Sequence, residues 1–126
     1  MANTDFAMLL EGFFLQWMGA GRQLSKQTIS SYRDAFSLFL RWMRDSNGIE
    51  AASMTMDEFD AERVEAFLLH LSEERGNAAT TVNCRLSALK AFCGYASYRA
   101  PERIAQLKRI KDLPRRTEKR CEVAYL

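Results

Sequence analysis

The stretch TTVNCRLSALKAF, residues 80–92, has the apolar spacing of an amphipathic helix. At 100° per residue, Val82, Leu86 and Leu89 fall on one side, together with Cys93 just beyond the stretch. A second side carries small or polar residues and one cation: Thr80, Asn83, Ser87, Lys90 and Gly94. One buried face is enough to fold a helix, so the low bulk of the second face must have its reason elsewhere in the chain.

Two helices are predicted in the first 48 residues. The first begins near Thr4, a candidate N-cap, and ends in the Gly-Ala-Gly sequence of residues 19–21. The second follows the candidate N-cap Ser25 and stops at Asn47 and Gly48. Their apolar faces predict a core that contains Phe6, Leu9, Leu10, Phe13, Phe14, Trp17, Met18, Ile29, Tyr32, Phe36, Phe39, Leu40 and Met43.

A third helix is predicted between the N-cap Asp60 and the stop signal Gly76. From residue 49 to residue 74 the chain has eight acidic residues and one basic residue. We therefore expect this part to face solvent or a cationic partner rather than phosphates. Its core face is predicted to be Val64, Phe67, Leu68 and Leu71.

The fourth helix starts at Thr80 or Thr81 and extends to about Tyr98. Pro101 suits the first turn of a short helix through Leu107, after which the chain is basic and loses its apolar period. No segment shows the alternation of a strand, so the predicted fold class is all-α, with four main helices.

Length and composition are those of one globular domain: 126 residues, of which 48% are hydrophobic and 27% charged. No run approaches the roughly 18 to 20 apolar residues of a membrane span, and Asp5, with no early lysine or arginine, argues against a secretory signal. We therefore expect a cytoplasmic protein. Neither a disulfide framework nor a zinc site is predicted, because the three cysteines lack the spacing; reduced thiols are expected at Cys84, Cys93 and Cys121.

The net charge of +2 conceals an asymmetry along the chain. From Gly76 onward there are 11 lysines and arginines against four acidic residues, a balance of +7, whereas the part before it has seven against 12, a balance of −5. This asymmetry is typical of chains that bind a polyanion with one part of their surface. It also occurs without such a partner, so charge alone leaves the question open.

Catalytic and metal-binding constellations are not predicted. The one histidine, His70, lies beside an apolar face and is interpreted as structural. Residues 19–21 lack the lysine and hydroxyl residue of a phosphate loop. We expect no metal, no cofactor and no enzyme activity, because a solvated face with an N-cap explains the carboxylates Asp57, Glu58, Asp60, Glu62 and Glu65.

Two motifs in order point to a family. The first is LSKQTISSY, residues 24–32, and the second is RGNAATTVNCRLSALKAF, residues 75–92; a basic PRR segment and VAYL follow. Together they resemble the N-terminal core-binding domain of tyrosine site-specific recombinases, the phage integrase family. The resemblance extends from about Phe6 to Leu126.

This resemblance implies a small SAM-like bundle of four main helices that closes over one face of duplex DNA. Residues 1–107 would form the core-binding domain, and residues 108–126 a basic interdomain linker that leads to a C-terminal catalytic domain absent from this chain. The parent protein would be a tyrosine recombinase, which breaks and rejoins strands through a phosphotyrosyl intermediate. The fragment itself is expected to cleave no DNA, and none of its tyrosines is assigned as a nucleophile: Tyr32, Tyr95, Tyr98 and Tyr125.

The resemblance also implies that the second and fourth helices face DNA, which gives the second face of residues 80–92 a reason. Short side chains allow close approach, while hydroxyl, amide and cationic groups reach phosphate oxygens. Arg85 has an alternative, an ion pair with an acidic residue of the bundle. The predicted DNA-binding residues are Ser25, Lys26, Thr28, Ser30, Arg33, Arg44, Asn77, Thr80, Thr81, Asn83, Arg85, Ser87, Lys90, Lys108, Arg109, Lys111, Arg115 and Arg116.

The expected partners are duplex DNA, the catalytic domain of the same parent chain and other recombinase subunits on DNA, with no membrane involved. The resemblance further implies a bacterial or phage-derived protein that is associated with DNA in the cytoplasm. The alternative is a helical protein–protein interaction module that mediates oligomer assembly through its acidic third helix and basic fourth helix. Self-association without DNA would favour that alternative.

Overall fold

The computed structural model describes residues 4–18 and 24–117, which contain four main helices, a shorter fifth helix and no strand. The predicted all-α bundle of four main helices is thereby confirmed. Helices α1 and α3 each continue into one π-helical turn, at residues Phe13–Trp17 and His70–Glu74. The helices are α1 (Asp5–Gly12), α2 (Lys26–Asn47), α3 (Ala61–Leu69), α4 (Ala79–Arg99) and α5 (Ile104–Lys111).

Three side chains cap helices where the sequence predicts them. Thr4 Oγ1 accepts a hydrogen bond from the Ala7 amide at 3.1 Å, which starts α1. Ser25 Oγ starts α2 in the same way, and Asp60 Oδ1 starts α3 at 2.9 Å from the Arg63 amide. Each oxygen satisfies an N–H group that has no partner within its helix, so local chemistry decides where these helices begin.

Two glycines end helices as predicted. Gly48 and Gly76 have φ angles of +66° and +70°, in the left-handed region where a side chain would be strained. After Gly76 the Asn77 amide donates to the Leu71 carbonyl at 2.9 Å, which closes the end of the α3 segment. The predicted end of the first helix, at residues 19–21, lies outside the described residues.

The fifth helix is longer than predicted. We expected it to end at Leu107, but it continues to Lys111, and both Leu107 and Ile110 are fully buried. Ile110 follows Leu107 by three residues, so the helical apolar period does continue there. Three basic residues around Ile110 conceal this period in the sequence: Lys108, Arg109 and Lys111.

Helix α4 lies at the centre of an aromatic core. The ring of Phe92 lies 5.4–5.7 Å, between centroids, from four other phenylalanine rings contributed by α1, its π-helical turn, α2 and the connection before α3: Phe6, Phe13, Phe36 and Phe59. All four contacts are edge-to-face, with interplanar angles of 69–85°, a geometry that aromatic pairs prefer. Because α4 is packed in this way, the orientation of its second face is fixed.

The two cysteines within the described residues differ in their exposure to solvent. Cys84 and Cys93 are free thiols, as predicted, whereas Cys121 lies outside the described residues. Cys93 is buried in the core, and this burial raises the pKa of its thiol to about 12. Within residues 4–18 and 24–117, no helix has the length and hydropathy that crossing a membrane requires.

Candidate nucleic-acid interface

A shallow groove runs between the N-terminal halves of α2 and α4. We call it the hydroxyl groove, because serine and threonine side chains from both helices line it. The helices approach closely here, with Ser31 Oγ 3.6 Å from Cys84 Sγ. Its lining residues are Ser25, Gln27, Thr28, Ser30, Ser31, Tyr32, Asp34, Thr80, Thr81, Cys84, Arg85, Ser87 and Arg115.

The groove brings together eight of the residues predicted from the sequence: Ser25, Thr28, Ser30, Thr80, Thr81, Arg85, Ser87 and Arg115. Five further lining residues were missed, namely Gln27, Ser31, Tyr32, Asp34 and Cys84. A signal for two of these was present, because Ser31 lies three residues after Thr28, and Cys84 four residues after Thr80, so each shares a helix face with a predicted residue.

The electrostatics of the groove favour an anion. Two helices begin at this end, and within the described residues no side chain caps α4, so its first N–H groups have no side-chain acceptor there. The charged side chains that line the groove are Asp34, Arg85 and Arg115. Arg85 makes no ion pair within the described residues, and its buried Nε has no hydrogen-bond partner. The alternative of an ion pair for Arg85 is therefore not observed.

Two predicted residues of α4, Asn83 and Lys90, contact the chain itself. The Asn83 side chain donates from Nδ2 to the Arg116 carbonyl at 3.0 Å and accepts at Oδ1 from the Arg116 amide at 2.7 Å. Lys90 Nζ donates to the Leu113 carbonyl at 2.6 Å. The second face of α4 thus has a partner within the chain, residues 113–116, which we call the strap.

Several predicted cations lie on exposed surface and in ion pairs. Arg109 Nη2 lies 2.8 Å from Glu62 Oε2, and this hydrogen bond lowers the pKa of the Glu62 carboxyl. Lys108 pairs with Asp112 at 2.7 Å, and Arg44 with Asp45 at 3.0 Å. Of the remaining predicted residues, four are exposed or half-buried and do not line the groove: Lys26, Arg33, Asn77 and Lys111.

The acidic part of the chain has a cationic partner, as the sequence allowed. The Arg103 guanidinium donates to the Asp57 carboxylate at 2.6 Å, and this hydrogen bond raises the pKa of Arg103. A second carboxylate oxygen, Asp5 Oδ2, lies 3.5 Å from Arg103 Nη2. Together with the Glu62–Arg109 pair, these contacts place acidic side chains against the α5 region. They are therefore not part of the hydroxyl groove.

Clustered metal ligands are absent from the part of the chain that the structure describes. Nowhere within it do three histidine, cysteine or carboxylate side chains come close enough to hold a metal ion. His70 Nδ1 lies 2.8 Å from Glu74 Oε1 within the same helical segment, and its ring lies 6.4 Å from the Trp42 ring. These contacts fit the structural role predicted for the histidine.

Comparison with known proteins gives one family. The model of the family described as "Phage integrase, N-terminal SAM-like domain" matches residues 13–100. Two proteins of Sinorhizobium fredii (strain NBRC 101917 / NGR234) are similar to the chain. "Putative integrase/recombinase y4rC" is 36% identical over 98% of this chain, and "Putative integrase/recombinase y4rD" is 29% identical over 86% of it. The chain spans 37% and 38% of the lengths of these relatives, and no solved structure matches it significantly.

Proposed function

The chain belongs to the phage integrase family through its N-terminal SAM-like domain, and we propose that it clamps duplex DNA at a recombination site. The observation that carries this proposal is the hydroxyl groove, which gathers seven predicted residues from the N-terminal halves of α2 and α4 and an eighth, Arg115, from the strap. Short hydroxyl side chains let a phosphate ridge approach the backbone, where free helix N–H groups and arginines neutralise its charge.

The proposed role is binding and not catalysis. Contacts to phosphates supply affinity, and limited contacts to base edges supply some sequence preference. Strand cleavage through a phosphotyrosyl link belongs to a catalytic domain of the parent protein, with which this domain closes around DNA beside other recombinase subunits. The names of the two relatives, which are longer than this chain, support a role in integration or recombination.

We propose that residues 108–126 lead from the helical domain toward the catalytic domain. The first part of this basic segment completes α5 and then forms the strap, so it is joined to the helical domain as far as residue 116. A protein with this role acts on bacterial or phage DNA in the cytoplasm.

The test is a fluorescence-anisotropy titration of the chain against labelled duplex DNA at several salt concentrations. The logarithm of the affinity should fall with the logarithm of salt with a slope of about −0.9 per phosphate contacted. Arg85→Ala should weaken binding and reduce this slope by about 0.9. Arg99→Ala is the matched control, because Arg99 lies at the other end of α4, where it donates to Gln16.

Two results would contradict the proposal. One is no binding even at low salt, and the other is an equal loss of affinity in Arg85→Ala and Arg99→Ala, which would indicate non-specific attraction to net charge. The first result would favour the second candidate function, a protein-interaction module for oligomer assembly. One observation favours that candidate: Met8 and Leu15 are 61% and 66% exposed and line a groove between α1 and α4.

A further inference from the structure

The strap is held to α4 at both of its ends. Lys90 Nζ binds the carbonyl of Leu113, and the Asn83 amide binds both the carbonyl and the N–H of Arg116. All three hydrogen bonds go to the main chain of the strap. The side chain of Leu113 also packs against the hydrophobic core.

Asn83 is the one buried polar residue in the described part of the chain, with 7% of its surface exposed. A buried amide without hydrogen-bond partners destabilises the folded state. Release of the strap would leave the Asn83 amide either exposed to water or buried without partners. The side chain of Arg116 does not share this role, because its buried Nε and Nη2 have no hydrogen-bond partner. The Asn83 contact with the main chain is therefore what holds this end of the strap.

Arg115 lies between the two attachment points. It is exposed, and it lines the hydroxyl groove together with Thr80 and Ser87 of α4. The strap thus places a cation, from a segment with no regular secondary structure, beside a row of helix side chains. Without attachment at Leu113 and Arg116, nothing in the strap's own sequence would fix the position of Arg115.

We propose that Asn83 and Lys90 are positioning residues, which hold Arg115 over the hydroxyl groove so that Arg115, and not Asn83 or Lys90, contacts the DNA phosphate. This inference rests on the proposed function. It replaces the direct DNA contacts that the sequence predicts for Asn83 and Lys90 with an indirect role. It also explains why the second face of α4 combines an amide, small residues and a lysine, because these side chains accommodate the strap.

The first measurement needs no DNA. Hydrogen exchange of the Arg116 amide is compared in the unchanged chain and in Asn83→Leu, which keeps the branched shape of the side chain but removes both hydrogen bonds. Exchange should become about thirtyfold faster, the factor expected from the net loss of two hydrogen bonds. Asn47→Leu, on the exposed end of α2, is the matched control and should leave this amide unchanged. Equal exchange in Asn83→Leu and the unchanged chain would overturn the positioning role.

The second measurement is a double-mutant cycle on DNA affinity with Asn83→Leu and Arg115→Ala. If Asn83 acts through Arg115, each single variant weakens DNA binding by a similar factor. The double variant then has the same affinity as the single variant that binds DNA less tightly. If Asn83 touches DNA itself, the double variant loses the product of both factors, which would overturn the proposal.

A third pair of variants acts from the strap and leaves α4 unchanged. Arg116→Pro and Arg116→Ala both remove the Arg116 side chain, but only proline also removes the N–H that donates to Asn83. Arg116→Pro should therefore bind DNA more weakly than Arg116→Ala, and equal affinities would contradict the proposal. If the unchanged chain binds no DNA, the proposed function fails and the positioning role fails with it, whereas the exchange measurement still decides whether Asn83 holds the strap.

Discussion

Gly12, at the end of α1, is a position where alanine should destabilise the protein although alanine favours helices. The backbone of Gly12 is right-handed helical, with φ −62° and ψ −36°, so it does not itself require glycine. A Cβ atom added there would overlap the hydroxyl of Tyr95 and lie 3.3 Å from its Cζ. Tyr95 is buried in α4, and its ring lies 5.9 Å from the ring of Phe13, so it has little room to move.

Two effects of opposite sign decide the magnitude. Replacing glycine by alanine within a helix stabilises it by up to about 1 kcal/mol. Forcing an extra methyl group into a packed contact costs about 1–3 kcal/mol. We therefore expect Gly12→Ala to lower the free energy of unfolding by about 1 kcal/mol, with the overlap outweighing helix propensity.

The assay is urea unfolding followed by tryptophan fluorescence and circular dichroism, with Tyr95→Phe as the second mutation of a cycle. Phenylalanine removes the hydroxyl that the new Cβ overlaps and retains the ring. Gly12→Ala should then cost less in the Tyr95→Phe background, with a coupling energy of about 1 kcal/mol. A stabilising effect in the unchanged chain, or the same effect in both backgrounds, would refute the reasoning.

Four further predictions follow from burial and capping. Phe92→Ala should lower the free energy of unfolding by about 3–5 kcal/mol, measured in urea, and by clearly more than Phe14→Ala at a half-buried position. Asp60→Ala should cost about 1 kcal/mol and fray the start of α3, seen as faster amide exchange there; unchanged exchange would contradict its role as a cap. The pKa of the Cys93 thiol is raised to about 12 in the folded protein, so the unfolded chain loses the thiol proton at a lower pH than the folded protein does. The free energy of unfolding should therefore fall as the pH rises from about 9 toward 12. A Cys93→Val variant should lack this part of the loss. At neutral pH, alkylation should modify the exposed Cys84 and leave Cys93 intact until the protein unfolds, as peptide mapping would reveal.

The parts of the fold that the sequence predicts depend on short-range chemistry. Thr4, Ser25 and Asp60 each cap a helix by binding an N–H group three residues ahead, so their pattern is visible within one turn. Gly48 and Gly76 end helices because of their own backbone freedom. Burial follows the helical apolar period only in part, because Phe6, Phe13 and Phe36 are buried as predicted, whereas Leu9, Phe14 and Ile29 are only partly buried against the core. Ile110 was missed because charged neighbours mask its period, although the period itself continues.

The strap could not be predicted in this way, because its partners are distant in sequence. Lys90 and Leu113 are 23 residues apart, and Asn83 and Arg116 are 33 residues apart. No periodic pattern relates an asparagine on a helix to a backbone carbonyl in an irregular segment. The sequence does contain the polar face of α4, but the family resemblance assigns that face to DNA, and no linear pattern shows that a segment of the same chain contacts it.

The charge of the chain also acquires a different meaning once its ion pairs are known. The part from Gly76 onward has 11 lysines and arginines, which would suggest many phosphate contacts. Within the described residues, Arg103, Lys108 and Arg109 are paired with carboxylates, and Lys90 binds the strap. A cation that is already paired with a carboxylate releases fewer counterions when the protein binds DNA. The salt dependence of the affinity should therefore reflect a few contacts in the groove, chiefly those of Arg85 and Arg115, and not all 11 lysines and arginines. A slope close to the value for 11 phosphates would show that the ion pairs break on DNA, and that the bound domain uses its α5 surface as well as the hydroxyl groove.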